Sequence, residues 1–374
     1  MLTTFFADIA DFRRPQGRRY ELDKILLLSV IAILCNAKSY RDISRFIKTK
    51  FESFKQELSL GWESPPAYTT VRNIIQGIAK DELEAAFRAF TQSMTRYGID
   101  DSKTLVHIAV DGKVLRHSFD NFEDRSAMQK LSFLDAEQSL ILGHIAVEDK
   151  SNEIPAFQTL LSTLEIPGAV FSADALHLQK KTFEQAAASK HLLLIQLKDN
   201  QPTLLEDVQC LIKTLPPCDS YQQKAHIAHG RITIRATTIY QSNLNDFILD
   251  DDWASYIKTV VQVHRFTDVF DTKTKQYINR QETAFYLSNH SLANAEICSR
   301  YVVQHWGIEN KNHYVRDVAL QEDASRIRKS PYNLSVLRSI ALNILRKNKV
   351  LNIKGELYEN SLHWTKVFSY PQVT

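Results

Sequence analysis

The first quarter of the chain places apolar residues at helical spacing. The residues that define the first apolar face are Leu22, Ile25, Leu26, Ser29 and Ile33. They predict one helix, and a second short helix is predicted over residues 40–51, after a polar break at residues 37–39. Pro65 and Pro66 then lead into a predicted third helix, residues 71–78, with a threonine as its N-cap.

From residue 104 the periodicity changes from helical to strand-like. We predict strands over residues 104–110, 131–134 and 139–147, the first ending in a turn at Asp111-Gly112 and the other two joined by a polar turn. A helix (156–164), a strand (168–172) that leads to Asp174, a helix (178–188), a strand (191–197) and another helix follow. This order predicts an α/β fold.

Residues 216–290 break the alternation of strands and helices. Three segments in this stretch, 231–240, 256–266 and 282–287, have strand-like patterns and predict a β-rich insertion. Residues 293–317 and 333–345 return to helical periodicity. We therefore predict an N-terminal helical domain (1–98), the first part of a core (99–215), the insertion (216–290), the last part of the core (291–349) and an unassigned C-terminal tail (350–374).

The composition excludes several classes of protein. The chain is 44% hydrophobic and 24% charged, values of ordinary globular proteins that exclude a disordered chain. Its 4 cysteines form no CxxC pair, so we expect neither a disulfide framework nor a zinc ribbon. The longest apolar run, residues 25–35, is shorter than the ~20 residues that cross a membrane, and Asp8 and Asp11 interrupt any signal segment. We expect a cytoplasmic protein without a membrane partner.

The net charge of +3 hides two basic stretches. Residues 13–55 carry 11 lysines and arginines against 4 acidic residues, and residues 300–349 carry 10 against 4. Local basic surfaces on a nearly neutral molecule favour a polyanion partner such as nucleic acid. The basic N-terminal helices are compatible with a helix-turn-helix-like DNA-binding domain. The alternative is a plain helical bundle with solvated lysines and arginines.

Three acidic residues are expected at the edge of the sheet where α/β proteins bind their ligands. Asp111 ends the first predicted strand and Asp174 ends the fourth, and ligands bind at the carboxyl ends of adjacent strands in open α/β sheets. We expect the late helix to bring Glu309 to the same edge. Because three converging carboxylates repel one another, we predict that they hold two divalent ions, Mg²⁺ or Mn²⁺, for an in-line phosphoryl displacement. Taken singly, Asp111 is typical of a turn, Asp174 is compatible with a helix N-cap and Glu309 with a solvated helix face.

Polar residues surround Glu309 in the predicted helical register. The residues that would share its face in a continuous helix are His305, Asn312, His313 and Arg316. Asp317, Glu322 and Asp323 are rival candidates for the third acid, whereas Trp306 and Val302 are expected in the core. The candidates for contacts with DNA phosphates are Lys113, Lys198, Asn200, Arg231, His305, Arg316, Arg326 and Arg328.

Several of these segments resemble the H-repeat-associated insertion-sequence transposases. The matching motifs are residues 22–36, IAVDGK at 108–113, SADALHLQ at 172–179, LKDNQPT at 197–203, HGR at 229–231 and HWGIEN at 305–310. The likeness covers about residues 8–347, with the motifs in the expected order. It implies a bacterial DDE recombinase with a ribonuclease-H-like mixed-sheet core, an N-terminal helical domain and a β-rich insertion before the last catalytic helix. By this likeness Asp111, Asp174 and Glu309 are the three catalytic acids.

The sequence departs from related DDE transposases around the last acid. Those relatives often carry a Tyr, an Arg and a Lys at fixed distances from the Glu, where this chain has Val302, His305 and Arg316. Only Arg316 keeps the charge. The phosphate and flipped-base contacts of those relatives are therefore not carried over to this chain.

The sequence predicts a transposase that binds the terminal inverted repeats of its own element and a target DNA, as a homodimer in the active complex. It would hydrolyse a phosphodiester and then direct the freed 3′-hydroxyl at the target DNA. One alternative is a structure-specific nuclease on the same core, without strand transfer. The other is a catalytically silent DNA-binding protein descended from a transposase.

Overall fold

The computed structural model describes residues 2–95, 105–120, 126–147, 152–164, 166, 168–228, 230–241 and 251–373, without the side chains of residues 251 and 252. The chain divides into two compact units. The first comprises Met1–Arg96, Gly112–Ser151 and Glu309–Thr374, and the second comprises Tyr97–Asp111 and Asn152–Ile308. Each unit therefore combines distant segments, and the five predicted segments stay a prediction. Residue 104, the predicted boundary at residues 98–99 and His229 lie outside the described residues.

The first unit is mainly helical. Its helices are α1 (Leu2–Ala7), α2 (Leu22–Leu34), α3 (Tyr40–Thr49), α4 (Phe51–Glu57), α5 (Tyr68–Gly77), α6 (Lys80–Met94), α12 (Tyr314–Val318), α13 (Pro331–Lys347) and α14 (Ile353–Leu362). Two antiparallel strands, β2 (Gln129–Asp135) and β3 (Ile141–Val147), form a hairpin. The Asp135 carboxylate accepts the backbone N–H groups of Glu137 and Gln138 at 2.9 and 2.7 Å, which confirms the predicted polar turn.

Helix α2 is buried on nearly all sides. Its residues from Ile25 to Leu34 are apolar except Ser29, whose hydroxyl donates to the carbonyl of Ile25 at 2.6 Å. Helices α1, α3, α13 and α14 all contact it. Because a helix that is apolar all round has to be enclosed, α2 forms the centre of this unit. The first predicted helix is confirmed.

The next two predicted helices are only partly confirmed. Helix α3 begins with a capping box, in which the Ser39 hydroxyl accepts from the Asp42 N–H at 3.2 Å and the Asp42 carboxylate accepts from the Ser39 N–H at 3.1 Å. The helix predicted over residues 40–51 is confirmed as α3, which ends two residues earlier, at Thr49, and Phe51 begins the separate helix α4. Helix α5 begins at Tyr68 with Ala67 at the N-cap position and no side-chain cap, so the predicted threonine N-cap is wrong.

The C-terminal segment, which the sequence pattern left unassigned, is helical. Helix α14 is followed by a 3-10 helix at Trp364–Ser369. The Trp364 ring packs edge-to-face on Phe54 with ring centroids 4.9 Å apart, and the Asn360 side chain donates to the carbonyl of Leu34 at 3.2 Å. The last residues therefore complete the packing around α2.

A buried ionic cluster ties α12 to α13. The guanidinium of Arg316, which is fully buried, donates from Nε and Nη2 to both carboxylate oxygens of Glu322, at 2.7 and 2.6 Å. Nη2 also donates to the carbonyl of Ser335 on α13 at 2.8 Å, and the buried ammonium of Lys130 lies 3.8 Å from Glu322. Although burial alone raises it, these cations hold the pKa of Glu322 well below its usual value.

The second unit is built around a mixed sheet. Its strands are β1 (His107–Val114, which ends in the first unit), β4 (Val170–Ala173), β5 (Leu192–Leu197), β6 (Asp219–Gln222), β7 (His226–Ala228), β8 (Arg231–Tyr240), β9 (Thr259–Asp271) and β10 (Gln276–Ser288). Its helices are α7 (Glu153–Thr163), α8 (Lys180–Ala188), α9 (Pro202–Thr214), α10 (Asp251–Tyr256) and α11 (Ala295–His305). The strand order is β1-β4-β5-β10-β9-β8-β6, and β7 pairs with β8.

The sheet joins a parallel part to an antiparallel part. Strand β4 is parallel to both β1 and β5, whereas β10 is antiparallel to β5, with Phe285 opposite Leu197 and Leu287 opposite Ile195. The β-rich stretch over residues 216–290 therefore extends the core sheet. Helix α11 packs on this sheet, where Cys298 and other buried residues join the apolar core. A mixed α/β fold is confirmed, and the ribonuclease-H-like assignment stays a prediction.

Strand β1 runs past the predicted turn. It continues through Asp111 and Gly112 to Val114, so the turn predicted at Asp111-Gly112 is wrong. The apolar pattern stops at Val110, but the polar residues that follow are not all exposed. The side chain of Lys113 is buried, and its ammonium is paired with the carboxylate of Asp317. Within the described residues, none of the helices combines the length and the apolar character needed to cross a membrane.

The ionic cluster predicts a large effect of Arg316→Met on stability. The substitution leaves the buried carboxylate of Glu322 without its bidentate partner, and breaking a buried ion pair costs about 3–5 kcal/mol of the free energy of unfolding. Urea denaturation followed by circular dichroism measures this loss. Arg326→Met is the matched control, because Arg326 is exposed and the same substitution there should change stability by no more than about 0.5 kcal/mol. Equal effects of the two substitutions would contradict this view of the cluster.

Candidate active site

Asp111 and Asp174 lie level with each other on neighbouring parallel strands. The register pairs His107 with Val170, Ile108 with Phe171 and Ala109 with Ser172, a constant offset of 63 residues. Continued two residues further along both strands, the same register places Asp111 opposite Asp174, the residue that follows β4. Because side chains alternate along a strand, both acids lie on the face that carries His107 and Ser172. The structure therefore brings two of the three predicted acids together, at the carboxyl edge of the sheet.

Asp174 is held ionised by a neighbouring lysine. Lys198, just after β5, donates its ammonium to Asp174 Oδ1 at 3.0 Å. Although partial burial raises it, the hydrogen bond from Lys198 gives a net lowering of the pKa of Asp174. Asn200 donates to the carbonyl of Ala175 at 2.8 Å and so fixes the turn that follows the acid. Both predicted phosphate contacts of this loop therefore lie beside Asp174.

Glu309 opens a π-helical turn in the first unit. The turn spans Glu309–His313 and leads directly into α12. The side chain of Glu309 is 60% exposed, and its carboxylate lies 3.8 Å from Nδ1 of the buried His313. Burial lowers the pKa of His313 to about 3, so this imidazole is neutral at pH 7. π-helical turns are rare in proteins, and many of those that occur lie at functional sites.

The late helix is interrupted, and the predicted polar face is only partly confirmed: Glu309 and His313 are neighbours, but Asn312 and Arg316 do not share the exposed side of Glu309. Helix α11 ends at His305, a turn follows at Trp306, and the π turn changes the helical phase after it. As a result Glu309 is exposed whereas Asn312 and Arg316 are fully buried. Trp306, which was expected in the core, is 49% exposed because it lies beyond the end of α11. The expectation for Val302 is confirmed, since it is buried.

Two predicted DNA contacts are buried in ion pairs. The ammonium of Lys113 lies 2.7 Å from Asp317 and 3.2 Å from Asp323, and its side chain is only 7% exposed. The guanidinium of Arg316 is committed to Glu322. These positions argue against direct contacts with DNA and assign both cations to the interior of the first unit. The same pairs engage all three rival candidates for the third acid.

The remaining arginine candidates are exposed. Arg231 begins β8, and Arg326 and Arg328 lie in the segment between α12 and α13. Their guanidinium groups are open to a partner such as a DNA phosphate. The structure places them on separate units, with Arg231 on the second and the other two on the first.

Sequence reasoning missed an acid close to Asp174. Glu153 is the first residue of α7, and its pKa is raised by burial and by the nearby charge of Asp174. Its carboxylate also lies 3.8 Å from Nε2 of the buried His177. An acidic residue in the first turn of a helix is so common that its sequence position gave no reason to select it.

A second feature that the sequence did not suggest is a line of buried and partly buried hydrogen bonds. His107 Nδ1 lies 2.9 Å from Gln304 Oε1, and His107 Nε2 lies 2.8 Å from the Ser172 hydroxyl. The same hydroxyl lies 3.0 Å from Nδ1 of His305. We call His107, Ser172 and His305 the histidine relay. It lies on the face of the sheet that carries Asp111 and Asp174.

Comparisons with known protein families match nearly the whole chain. The sequence model of the family described as "Transposase DDE domain" matches residues 102–344, and that of "DDE_Tnp_1-associated" matches residues 3–91. Two relatives from Escherichia coli strain K12 are YbfL and the H repeat-associated protein YhhI. Each relative is 30% identical to this chain, and the match covers 91% of this chain and 89% of the relative.

Other relatives match over a smaller part or at lower similarity. The H repeat-associated protein YbfD of the same strain is 30% identical over 58% of this chain and 86% of its own length. Among solved structures, a cryo-EM structure of a piggyBac transposase synaptic complex with hairpin DNA matches with a TM-score of 0.44. It is 11% identical, and the match covers 98% of this chain and 77% of that chain.

Burial of His107 predicts a pH-dependent contribution to stability. Desolvation lowers the pKa of His107 from 6.5 to about 3, so the unfolded chain takes up a proton that the folded protein does not. The contribution is complete above about pH 6.5 and is lost as the pH falls towards 3. In His107→Gln, the slope of unfolding free energy against pH between about 6 and 4 should fall by up to about 1.4 kcal/mol per pH unit.

Urea denaturation at a series of pH values measures this slope. His226→Gln is the control, because the His226 side chain is exposed in the folded protein as it is in the unfolded chain. An unchanged slope in His107→Gln would show that His107 is protonated in the folded protein.

Proposed function

Because this chain belongs to the H-repeat-associated DDE transposases, we propose that it cuts DNA at the ends of its own insertion sequence and joins them to target DNA. The core would be of the ribonuclease-H-like kind. The single observation that carries the proposal is the level placement of Asp111 and Asp174 at one edge of a parallel strand pair. Two aligned carboxylates at the carboxyl end of the parallel pairing suit a site for phosphate chemistry.

Glu309 completes the proposed set of acids. It is the first residue of its segment in the first unit, and Asp111 is the last residue of its segment in the second unit. Both acids therefore stand at positions where the chain passes from one unit to the other. The exposure of Glu309 and its π-helical turn support a functional role, because neither helps to bury apolar surface.

The donor set fits hard divalent cations. Asp111, Asp174 and Glu309 offer carboxylate oxygens, the ligand type that Mg²⁺ and Mn²⁺ prefer, and Asp174 is kept ionised beside Lys198. These residues would hold two such ions, which would activate the attacking hydroxyl and stabilise the leaving oxygen.

Residues around Asp174 have separable tasks in this proposal. Lys198 keeps the acid ionised and offers an ammonium to a phosphate oxygen of DNA. Asn200 holds the backbone after Asp174 in place through the carbonyl of Ala175. His305 lies near Asp174 as a neutral group, because burial lowers its pKa to about 4.

The proposed DNA partner is the double-stranded end of the element together with a target duplex. The basic stretch over residues 13–55 and the exposed Arg326 and Arg328 of the first unit, with Arg231 of the second, would contact phosphates. A homodimer in the active complex would hold two ends at once. Contacts with phosphates would bind DNA of any sequence. Recognition of the sequence of the inverted repeats would come from the N-terminal helices.

The proposed acids predict a sharp loss of activity in neutral variants. Asp111→Asn, Asp174→Asn and Glu309→Gln should each lower Mg²⁺-dependent cleavage of a DNA end about a thousandfold or more, which corresponds to about 4 kcal/mol of transition-state stabilisation. DNA affinity without metal should not fall. Single-turnover cleavage on gels and a binding titration measure the two quantities.

Glu296→Gln is the matched control, an exposed acid on α11 whose loss should leave cleavage unchanged. A target plasmid in the same reaction separates the possible outcomes. Joined products support transposition, and nicks without joining indicate a nuclease. Equal processing by wild type and all three variants would show that the acids perform no chemistry, as in a silent DNA-binding relic.

Exposed arginines predict a salt-dependent contribution to DNA binding. The double variant Arg326→Ala, Arg328→Ala should weaken binding to any duplex, and the slope of log affinity against log salt should fall by about one for each phosphate that the variant no longer neutralises. Fluorescence anisotropy at several salt concentrations measures this slope. Lys366→Ala is the control, because Lys366 is paired with Glu356 at 2.8 Å and Glu359 at 3.1 Å. An unchanged slope in the double variant would exclude both arginines from the interface.

A further inference from the structure

The contact between Gln304 and His107 fixes the direction of the hydrogen bonds in the histidine relay. The oxygen of the Gln304 amide can only accept, so Nδ1 of His107 carries the hydrogen. His107 is neutral at pH 7, since burial lowers its pKa to about 3, and its Nε2 therefore has a lone pair. The Ser172 hydroxyl must then donate to this Nε2, at 2.8 Å.

The same logic sets the tautomer of His305. Because the Ser172 hydrogen points to His107, the Ser172 oxygen accepts from Nδ1–H of His305 at 3.0 Å. Since His305 is neutral at pH 7 as well, its Nε2 has a lone pair.

The imidazole of His305 lies beside the proposed reaction centre. The charges of Asp174 and Lys198 both act on its pKa, the first raising it and the second lowering it, while burial is the main cause of its low value. His107 and Ser172 have exposed fractions of only 4% and 2%, and the hydrogen bond between them is buried. The relay therefore presents a hydrogen-bond acceptor of fixed identity near Asp174.

We propose, on the basis of the proposed DNA cleavage, that His305 Nε2 accepts a hydrogen bond from the hydroxyl group that attacks the DNA phosphorus. That hydroxyl belongs to water in cleavage and to the 3′ end of DNA in joining. An acceptor on its hydrogen orients the oxygen lone pair towards the phosphorus. His107 and Ser172 are positioning residues, which act by holding His305 in the Nδ1–H tautomer.

The tautomer can be measured without any reaction. Long-range ¹H–¹⁵N spectra of the full chain with ¹⁵N-labelled histidine distinguish Nδ1–H from Nε2–H, and His305→Gln identifies the His305 signals. We expect Nδ1–H in the wild type and in Ser172→Thr, which keeps the hydroxyl, and loss of this preference in Ser172→Ala. Ser299→Ala, a buried serine on α11 outside the relay, should leave the tautomer unchanged. An Nε2–H tautomer in the wild type overturns the proposal.

The catalytic part is tested by single-turnover cleavage at saturating DNA. Ser172→Ala should be about tenfold slower than the wild type, as expected for the removal of one hydrogen bond, and His305→Gln should be slower by at least as much. DNA affinity should be unchanged in both, and Ser172→Thr should restore the rate. Reduced affinity at an unchanged rate would instead indicate that His305 contacts DNA in the ground state, which overturns the proposal.

The two levels of proposal fail in different ways. Ser172→Ala with an altered tautomer and a wild-type rate overturns the role of His305, while the proposed DNA cleavage stands. A wild-type chain that binds DNA and never cleaves it overturns both the cleavage function and the role of His305. In that case the spectra still decide whether the relay fixes the tautomer.

Discussion

The parallel pairing of β1 with β4 is the constraint on which the candidate site depends. Backbone hydrogen bonds between the two strands fix an offset of 63 residues, and this offset sets Asp111 opposite Asp174. The same register puts His107 beside Ser172 on one face of the sheet. A shift of one residue in one strand would turn its side chains to the opposite face, and both arrangements would disappear together. The acids and the relay therefore have a common structural origin.

Charged residues of this chain serve two different purposes. Arg316 and Lys113 lie inside the first unit, where each is compensated by carboxylates at hydrogen-bonding distance. A buried charge without a partner is strongly destabilising, and the folded protein therefore keeps Arg316 and Lys113 paired with these carboxylates. Arg326 and Arg328 are exposed and are free of this requirement. Basic composition alone does not distinguish the two groups, because burial and not residue type decides which cations meet a polyanion.

The end of α11 and the π-helical turn after it change the directions of side chains that a continuous helix would have put on one face. His305 ends one helix and faces Ser172 in the second unit, while Glu309 begins a π-helical turn in the first. A π turn holds more residues than an α-helical turn, and it therefore changes the direction of every side chain that follows. The exposed Glu309 and the buried Arg316 differ in environment for this reason.

The sequence by itself determined most elements of the core and singled out two acids that the structure aligns. The apolar run of α2, the β2–β3 hairpin and the order of strands and helices from β4 to α9 follow from local periodicity, because each element is selected by its own pattern of burial. The positions of Asp111 and Asp174, each just beyond an apolar run, were found in the same way. The extension of β1 through Gly112 was missed, since its support comes from partners distant in the chain.

Only the tertiary structure decided which polar side chains meet. The partners of Lys113, Arg316 and His107 lie from 6 to 210 residues away in the chain, and no local pattern encodes such pairs. The π-helical turn at Glu309 was equally hidden, because it depends on how the flanking segments are anchored and not on a sequence period. Local free energies fix helices and strands, whereas the pairing of buried charges and hydrogen-bonding groups is fixed by the exclusion of water from the assembled interior.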